Sequence, residues 1–393
     1  MRLPKGFLAS GVRAGIRKKR PDLALFVAES GANAAALFTK NRFQAAPVVL
    51  GRTDLAATGG RVRAVVVNAG CANAVTGKAG MDAARRVRDA ASALLGAPKR
   101  EVLVSSTGVI GVVLPDRKIR AALPDARARL SAFGVEAASH AILTTDVGPK
   151  VARASFSWRG RRGSVVGIAK GAGMIHPNMA TMLAFLLTDA PATPAFLKAA
   201  LRRAADASFH AISVDGDTST NDTVLLLASG AIGGPEMTSP DDGPGFRRAV
   251  TDVCRRLAWL MVRDGEGATR VLDVTVTGAR SEADARLAAH AVATSPLVKT
   301  ALHGGDPNWG RILAAVGRSG ARFSPSRVSL RLGPLVLVER GVPAAYREKA
   351  AARLFAKERV PVAIDLGAGK ASAFKLASDL GHDYVTVNAD YRS

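Results

Sequence analysis

The sequence predicts a mixed α/β fold. Helical and strand-like hydrophobic periodicities alternate along the whole chain, and 48% hydrophobic with 22% charged residues is a globular composition. With 393 residues there is length for two or three domains with real cores. Residues 61–67, Arg-Val-Arg-Ala-Val-Val-Val, read as a strand. A helix is expected over 81–95, with Met81, Ala84, Val87, Ala91 and Leu94 on one face and Gly96 and Pro98 to stop it. Residues 101–104 form a short strand that runs into a small-residue loop, Ser105-Ser106-Thr107-Gly108. A second strand, 164–169, enters Lys170-Gly171-Ala172-Gly173, and both loops are of the kind that hosts chemistry. Thr193-Pro194 starts a helix as cap and first residue, and 224–228 reads as a buried strand. Helices near 245–263, 282–292 and 344–358 then alternate with strands near 269–275, 327–331, 334–338 and 360–365. The polar stretch 278–284 is the expected boundary between a larger domain, about 1–275, and a smaller C-terminal α/β domain, about 276–393.

Composition narrows the function classes. Cys71 and Cys254 stand far apart with no C-x-x-C spacing, which argues against a zinc ribbon or redox motif and for a reducing compartment. The N-terminus is basic, but no apolar signal core follows, and no run approaches the ~18 apolar residues of a membrane span. A cytoplasmic location without membrane attachment is the expectation. Lys and Arg number 55 against 32 Asp and Glu, a net charge of +23 that would suit a nucleic-acid binder. The basic residues are dispersed on solvated faces, however, and aromatics are only 5%, so stacking platforms are scarce. The charge reads better as a solvated surface whose field draws anionic small molecules, with no specific nucleic-acid partner.

Several motifs fail on counting. Gly70 to Lys78 has the wrong glycine spacing for a phosphate loop, and Ala79 replaces the Ser or Thr that would hold magnesium. The run from Asp215 to Asp222 has Thr220 and Leu226 where a calcium loop needs glycine and glutamate, so it reads as a structural turn. None of the six histidines forms an H-E-x-x-H pair, and no metal site is expected. What remains is Lys170-Gly171-Ala172-Gly173-Met174-Ile175-His176-Pro177-Asn178-Met179-Ala180-Thr181-Met182-Leu183. A glycine loop and a proline turn deliver Ala180 and then a threonine that opens an apolar strand. Cut before Thr181, the chain would gain an α-amine with an ordinary pKa of about 7.7–8.0, able to act as base for its own hydroxyl. An ordinary junction between loop and strand would look the same.

That segment resembles the cleavage and nucleophile motif of the ornithine acetyltransferases, also called glutamate N-acetyltransferases or arginine-biosynthesis bifunctional proteins. The resemblance runs nearly end to end. It includes Pro4-Lys5-Gly6-Phe7, Phe38-Thr39-Lys40-Asn41, Ser106-Thr107-Gly108-Val109-Ile110-Gly111, Thr144-Thr145-Asp146, Asp264-Gly265-Glu266-Gly267-Ala268-Thr269, Asp306-Pro307-Asn308-Trp309-Gly310-Arg311 and the terminus Asn388-Ala389-Asp390-Tyr391-Arg392-Ser393. The sequence departs from the family pattern at Cys71, Val75, His303 and Ser393, the last of which keeps a hydroxyl.

The resemblance implies a layered α/β/β/α nucleophile domain of the N-terminal-nucleophile type. It implies self-cleavage between Ala180 and Thr181 into an α chain (1–180) and a β chain (181–393), which would stay associated as a heterotetramer of two α and two β. Thr181 would take acetyl from N2-acetyl-L-ornithine and pass it to L-glutamate in two half-reactions. Thr107 and Gly108 carry over as the oxyanion hole, and Thr144, Lys170, Thr181, Glu266, Asn388 and Ser393 as substrate contacts. Without the resemblance, Lys170 would read as solvated and Glu266 as a helix cap or a partner of Arg263. No cofactor is implied; acetyl-CoA enters only as an optional co-substrate for N-acetylglutamate synthesis. Two other classes remain open: a self-processing aminopeptidase or amidase of similar architecture, and a basic nucleic-acid-binding protein.

Overall fold

A computed structural model of the chain describes residues 1–176 and 182–390. Its described residues divide into two compact units, Met1–His210 with Asp217–Met261, and Ala211–Gly216 with 262–390.

The first unit is built on one sheet of eight strands: β1 (Phe7–Val12), β2 (Leu23–Phe38), β3 (Arg61–Cys71), β4 (Val102–Val109), β5 (Lys150–Trp158), β6 (Arg161–Lys170), β7 (Leu183–Thr188) and β9 (Thr223–Ala228). The short β8 (Ile212–Ser213) belongs to the second unit. The order is β4-β3-β2-β9-β7-β6-β5, with β1 also on β2. The long β2 carries the architecture. Its first half pairs with β1 and β3 and its second half with β9, and the β3 register shifts between Val27 and Ala32. Its residues alternate between two cores, as a pleated strand must. Ala24, Phe26 and Ala28 join a cluster with Val166, Ile168, Phe185 and Leu225, whereas Leu23, Leu25 and Val27 join one with helical residues. Phe26 stacks on Phe185 at 5.1 Å, so the two halves of the sheet face each other across one interior.

Helices cover the outer faces. Over the β1–β4 half lie α1 (Ala46–Ala57), α2 (Gly77–Leu95) and α3 (Asp116–Ala128), while α4 (Val135–Ala141) closes the inner core against β1, β2 and β6. Against β2 lies α5 (Pro194–Asp206), and against β6 lies α6 (Pro244–Arg263). Thr193 caps α5 by accepting from the N–H of Phe196 at 3.3 Å. Gly167 on β6 lets α6 approach, because a Cβ there would lie 2.5 Å from Val253 and 2.7 Å from Leu257. Helices, folded sheet and helices form the expected α/β/β/α layering.

The second unit has a seven-stranded sheet, β13-β12-β11-β14-β10-β15-β8, from β10 (Val271–Ala279), β11 (Ser329–Leu332), β12 (Leu335–Glu339), β13 (Val342–Pro343), β14 (Arg359–Asp365) and β15 (Ala371–Ser378) with β8. Its helices are α7 (Glu282–Ala293), α8 (Pro296–Gly304), α9 (Trp309–Gly317), α10 (Glu348–Phe355) and α11 (His382–Asp390). The alanine face of α7 packs on Val274 and Val276 of β10. This unit begins at Val262, ahead of β10, because β10 pairs with β14 and β15. The stretch 278–284 lies inside this unit, as the end of β10, a two-residue link and the start of α7.

Two elements run further than their local sequence suggests. Ser105, Ser106, Thr107 and Gly108 lie within β4, paired in parallel with β3, and Lys170 is the last residue of β6. No described helix is long and apolar enough to cross a membrane. Among the described residues no group of three or more His, Cys, Asp or Glu is placed to hold a metal ion.

Candidate active site

The C-terminal ends of the parallel pair β3 and β4 form the first part of the site. Ala69 stands opposite Thr107 and Gly70 opposite Gly108. Gly108 has φ +130°, and a Cβ there would fall 2.3 Å from the carbonyl carbon of Gly70, so glycine is the residue that fits. The strand end is held by side chains. The Ser106 hydroxyl donates to Asn68 Oδ1 at 2.7 Å, and Asn68 Nδ2 donates to the Cys71 carbonyl at 2.9 Å. Asn221 Nδ2 donates to the carbonyls of Ser106 at 2.8 Å and Ala72 at 2.7 Å. Cys71 itself is buried, and burial pushes its thiol up from the ordinary range against the Asn73 backbone hydrogen bond.

Lys170 is buried, not solvated. Only 3% of its side chain is exposed, and its Nζ donates to Thr107 Oγ1 at 3.3 Å. Four angstroms away is Asp146 Oδ2, the hub of this corner. Asp146 Oδ1 accepts from Lys150 Nζ at 2.7 Å and from the Gly171 N–H at 2.7 Å, and Oδ2 accepts from the Thr144 N–H at 3.0 Å. Burial alone would raise this carboxyl, but the ammonium groups of Lys170 and Lys150 hold it well below the usual carboxylate range. Thr144 is thereby tied to the same network, and its carbonyl accepts from Arg17 at 3.2 Å. A lysine has donors only, so Thr107 Oγ1 accepts from Lys170 and its own proton is free to point elsewhere.

Sequence reasoning missed Asp146 as a functional centre and read the run ending at Asp222 as a turn. Its last two residues instead reach into the site: Asn221 braces Ser106, and Asp222 Oδ1 accepts from the Met182 N–H at 3.0 Å. The signal was present as two polar residues, Asn-Asp, set directly before a wholly buried strand.

In the second unit, Asn388 Nδ2 donates to Glu266 Oε2 at 2.9 Å and to the Tyr384 carbonyl at 3.0 Å, so the C-terminal helix α11 and the Glu266 loop are tied together. Gly267, at φ +67°, permits this, since a Cβ would meet the Tyr384 nitrogen at 2.4 Å. Arg263 pairs with Glu358, not with Glu266. His303, one of the departures from the family pattern, has Nδ1 2.9 Å from Asp379 Oδ2, which also accepts from the Thr269 hydroxyl at 2.6 Å. Lys299 is buried beside the Val214 carbonyl, and desolvation lowers it to about 8 against the pull of Asp215 and Asp379. Thus Thr107, Gly108, Lys170 and Thr144 gather in the first unit and Glu266 with Asn388 in the second. Ala180, Thr181 and Ser393 lie outside the described residues.

Comparison with known proteins shows the family. The ArgJ family model matches residues 8–393. The arginine biosynthesis bifunctional protein ArgJ of Geobacter sulfurreducens is 48% identical over 392 residues, 99% of each chain. That of Thermus thermophilus is 49% identical over 392 residues, covering 100% of this chain and 99% of its own. Among solved structures, ArgJ from Bacillus halodurans superposes with a TM-score of 0.51 at 37% identity, covering 53% of this chain and 98% of that one. A family model spanning nearly every residue, with near-half identity over full length, leaves one conclusion: this chain belongs to the ArgJ family.

Proposed function

We infer that this chain is an ornithine acetyltransferase of arginine biosynthesis, moving acetyl from N2-acetyl-L-ornithine to L-glutamate through an ester on Thr181. The observation that carries the reading is the full-length match to ArgJ proteins. The buried Lys170–Thr107 contact beside Gly108 supports the chemistry.

The chain is read as cutting itself between Ala180 and Thr181, and the pieces as staying together in a tetramer of two α and two β. In support, the solved Bacillus halodurans chain is about half as long as this one, the length expected of one product. The Thr181 hydroxyl attacks first the Ala180 carbonyl and later the acetyl carbonyl of the donor. Each attack builds an oxyanion, and a preorganised donor to it is worth about 3–4 kcal/mol. Thr107 supplies one such donor, because Lys170 occupies an acceptor position of its oxygen and leaves the O–H to turn toward the oxyanion. Gly108 lets a backbone N–H approach as a second. Lys170 and Thr144 are read as substrate contacts, with Lys170 a partner for the α-carboxylate common to ornithine and glutamate. Glu266, Asn388 and Ser393 are read as further substrate contacts, the glutamate attracting an ammonium of ornithine. One amide is made for each amide broken, so the transfer needs no cofactor; acetyl-CoA is at most a second donor. The reading places the enzyme in the cytoplasm, where its amino-acid substrates are.

The test is kinetic. Purified protein should run as pieces of about 19 and 22 kDa, the 40.7 kDa chain divided after residue 180. Initial velocities with both substrates should be ping-pong, and the larger piece should gain about 42 Da with donor alone. Intersecting double-reciprocal lines without an acetylated piece would mean direct transfer and end the nucleophile assignment. Steady release of acetate without glutamate would favour a hydrolase.

A further inference from the structure

The ladder between β3 and β4 breaks beside Thr107. Pairing is regular from Ala64 to Gly70, but the register then shifts, and Cys71 stands opposite both Thr107 and Val109. Such a break takes backbone groups out of the repeating pattern, and buried carbonyls there need partners from elsewhere. Asn221, two residues before β9, supplies them. Its Nδ2 donates to the Ser106 carbonyl on β4 at 2.8 Å and to the Ala72 carbonyl just past β3 at 2.7 Å.

The amide that makes this bridge is itself held. Asn221 is buried, its Oδ1 accepts from the Thr220 hydroxyl at 2.6 Å, and its N–H donates to the Ser219 hydroxyl oxygen at 3.0 Å. Its carbonyl accepts from the Thr223 hydroxyl at 3.0 Å. Both protons of Nδ2 are placed, and the reverse orientation would set an oxygen against two carbonyls. The carbonyl of Ser106 and the N–H of Thr107 belong to one planar peptide. Holding that carbonyl therefore fixes the direction in which the chain enters Thr107, whose hydroxyl oxygen is held separately by Lys170 at 3.3 Å.

We propose that Asn221 is a positioning residue for Thr107: by pinning the Ser106–Thr107 peptide to the end of β3, it sets where the Thr107 hydroxyl stands. The proposal rests on the reading of Thr107 as an oxyanion donor, given above. A donor of that kind works because it is placed before the charge develops, so its worth depends on what holds it. Asn221 takes no proton and acts only through the residue it places. A displacement of about 1 Å at a catalytic group can cost about 100-fold in rate. Self-cleavage and acetyl transfer use the same donor in this reading, so both depend on Asn221.

The test is a double-mutant cycle on the full chain, read on the rate of self-cleavage and, once cleavage is complete, on kcat and KM. Asn221→Ala should slow cleavage and kcat each about 10- to 100-fold and leave KM for N-acetylornithine within about twofold. In a Thr107→Ala background the same change should cost about threefold or less, because the hydroxyl that Asn221 places is already gone. Equal losses in the two backgrounds would overturn the proposal, since a merely structural asparagine adds its cost to that of Thr107. An Asn221→Ala enzyme at wild-type rates beside a slow Thr107→Ala enzyme would also overturn it and leave the oxyanion reading standing. A Thr107→Ala enzyme at wild-type rates would end that reading and the proposal with it. Should Asn221→Ala not fold, Thr220→Val carries the same cycle: it keeps both Nδ2 donors but removes the hydroxyl that orients the amide. Its loss should be smaller, about three- to tenfold, and again absent without the Thr107 hydroxyl; wild-type rates or an additive loss would refute the role of Asn221.

Discussion

Replacing Thr107 by alanine and by serine separates its catalytic from its structural work. The residue is 4% exposed, and its side-chain oxygen accepts from Lys170 at 3.3 Å. That distance is long for an N–H···O bond, whose usual value is about 2.9–3.0 Å. Loss of the ground-state contact should accordingly cost stability toward the low end of the ~0.5–1.5 kcal/mol typical of a hydrogen bond. The loss in the transition state is larger. An oxyanion donor contributes about 1.4–4 kcal/mol, so Thr107→Ala should slow both maturation and turnover about 10- to 1000-fold with little change in KM. Thr107→Ser keeps the hydroxyl and its acceptor for Lys170 but deletes a buried methyl, which should cost about 1 kcal/mol of stability and less than tenfold in rate. The assay pairs a time course of chain cleavage and steady-state kinetics with denaturant unfolding of each variant. Alanine loses the same methyl and the hydroxyl with it, so it should be poor in kcat and the less stable of the two, whereas serine should be modestly destabilised but active. An alanine variant within twofold of wild-type rates, or a serine variant as slow as alanine, would show that the hydroxyl is not the donor.

Three further outcomes follow from the same geometry. Gly108→Ala should lose about 1–3 kcal/mol, because its φ of +130° and the approach of Gly70 within 2.3 Å leave no room for a Cβ, and kcat should fall about 100-fold as the strand end shifts; a normal unfolding midpoint and normal kcat would contradict this. Asp146→Asn should cost about 3–5 kcal/mol, measured by denaturant unfolding, since it strips a buried counter-charge from Lys150 and Lys170. Because the Asp146 carboxyl is held low in the folded state, its contribution is fully present above the ordinary aspartate value of about 3.9 and drains away as the pH falls below it; wild type and variant should converge in stability toward acid. Thr181→Ala should remain a single inactive chain on a denaturing gel, and cleavage at the same bond would remove Thr181 from the mechanism.

Local pattern was enough for most elements of the C-terminal half and for the helix that became α2. It stopped short where a neighbour, not the segment itself, sets the structure. Ser105 to Gly108 is rich in small polar residues and looks like a loop, yet pairing with β3 carries it into the sheet. The 16-residue β2 escaped notice because its small residues, Ser-Gly-Ala-Asn-Ala-Ala-Ala, give little hydrophobic alternation. The polar stretch 278–284 reads as a boundary, although it joins β10 directly to α7 and the strands beside β10 place it inside the second unit.

By itself the sequence determined the mixed α/β class, the family and the residues to watch, because ordered motifs such as Ser106-Thr107-Gly108 survive as linear text. Tertiary structure alone decided how those residues act on one another. That Lys170 is buried against Thr107, that Asp146 gathers Lys150, Lys170, Gly171 and Thr144, and that Asp222 sits with one oxygen on Met182 are facts of approach between distant segments. Lys170 and Thr107 are 63 residues apart in the chain, and Asp222 and Met182 are 40 apart. Hydrogen bonding and charge act over a few ångströms of space, a distance that sequence separation does not encode.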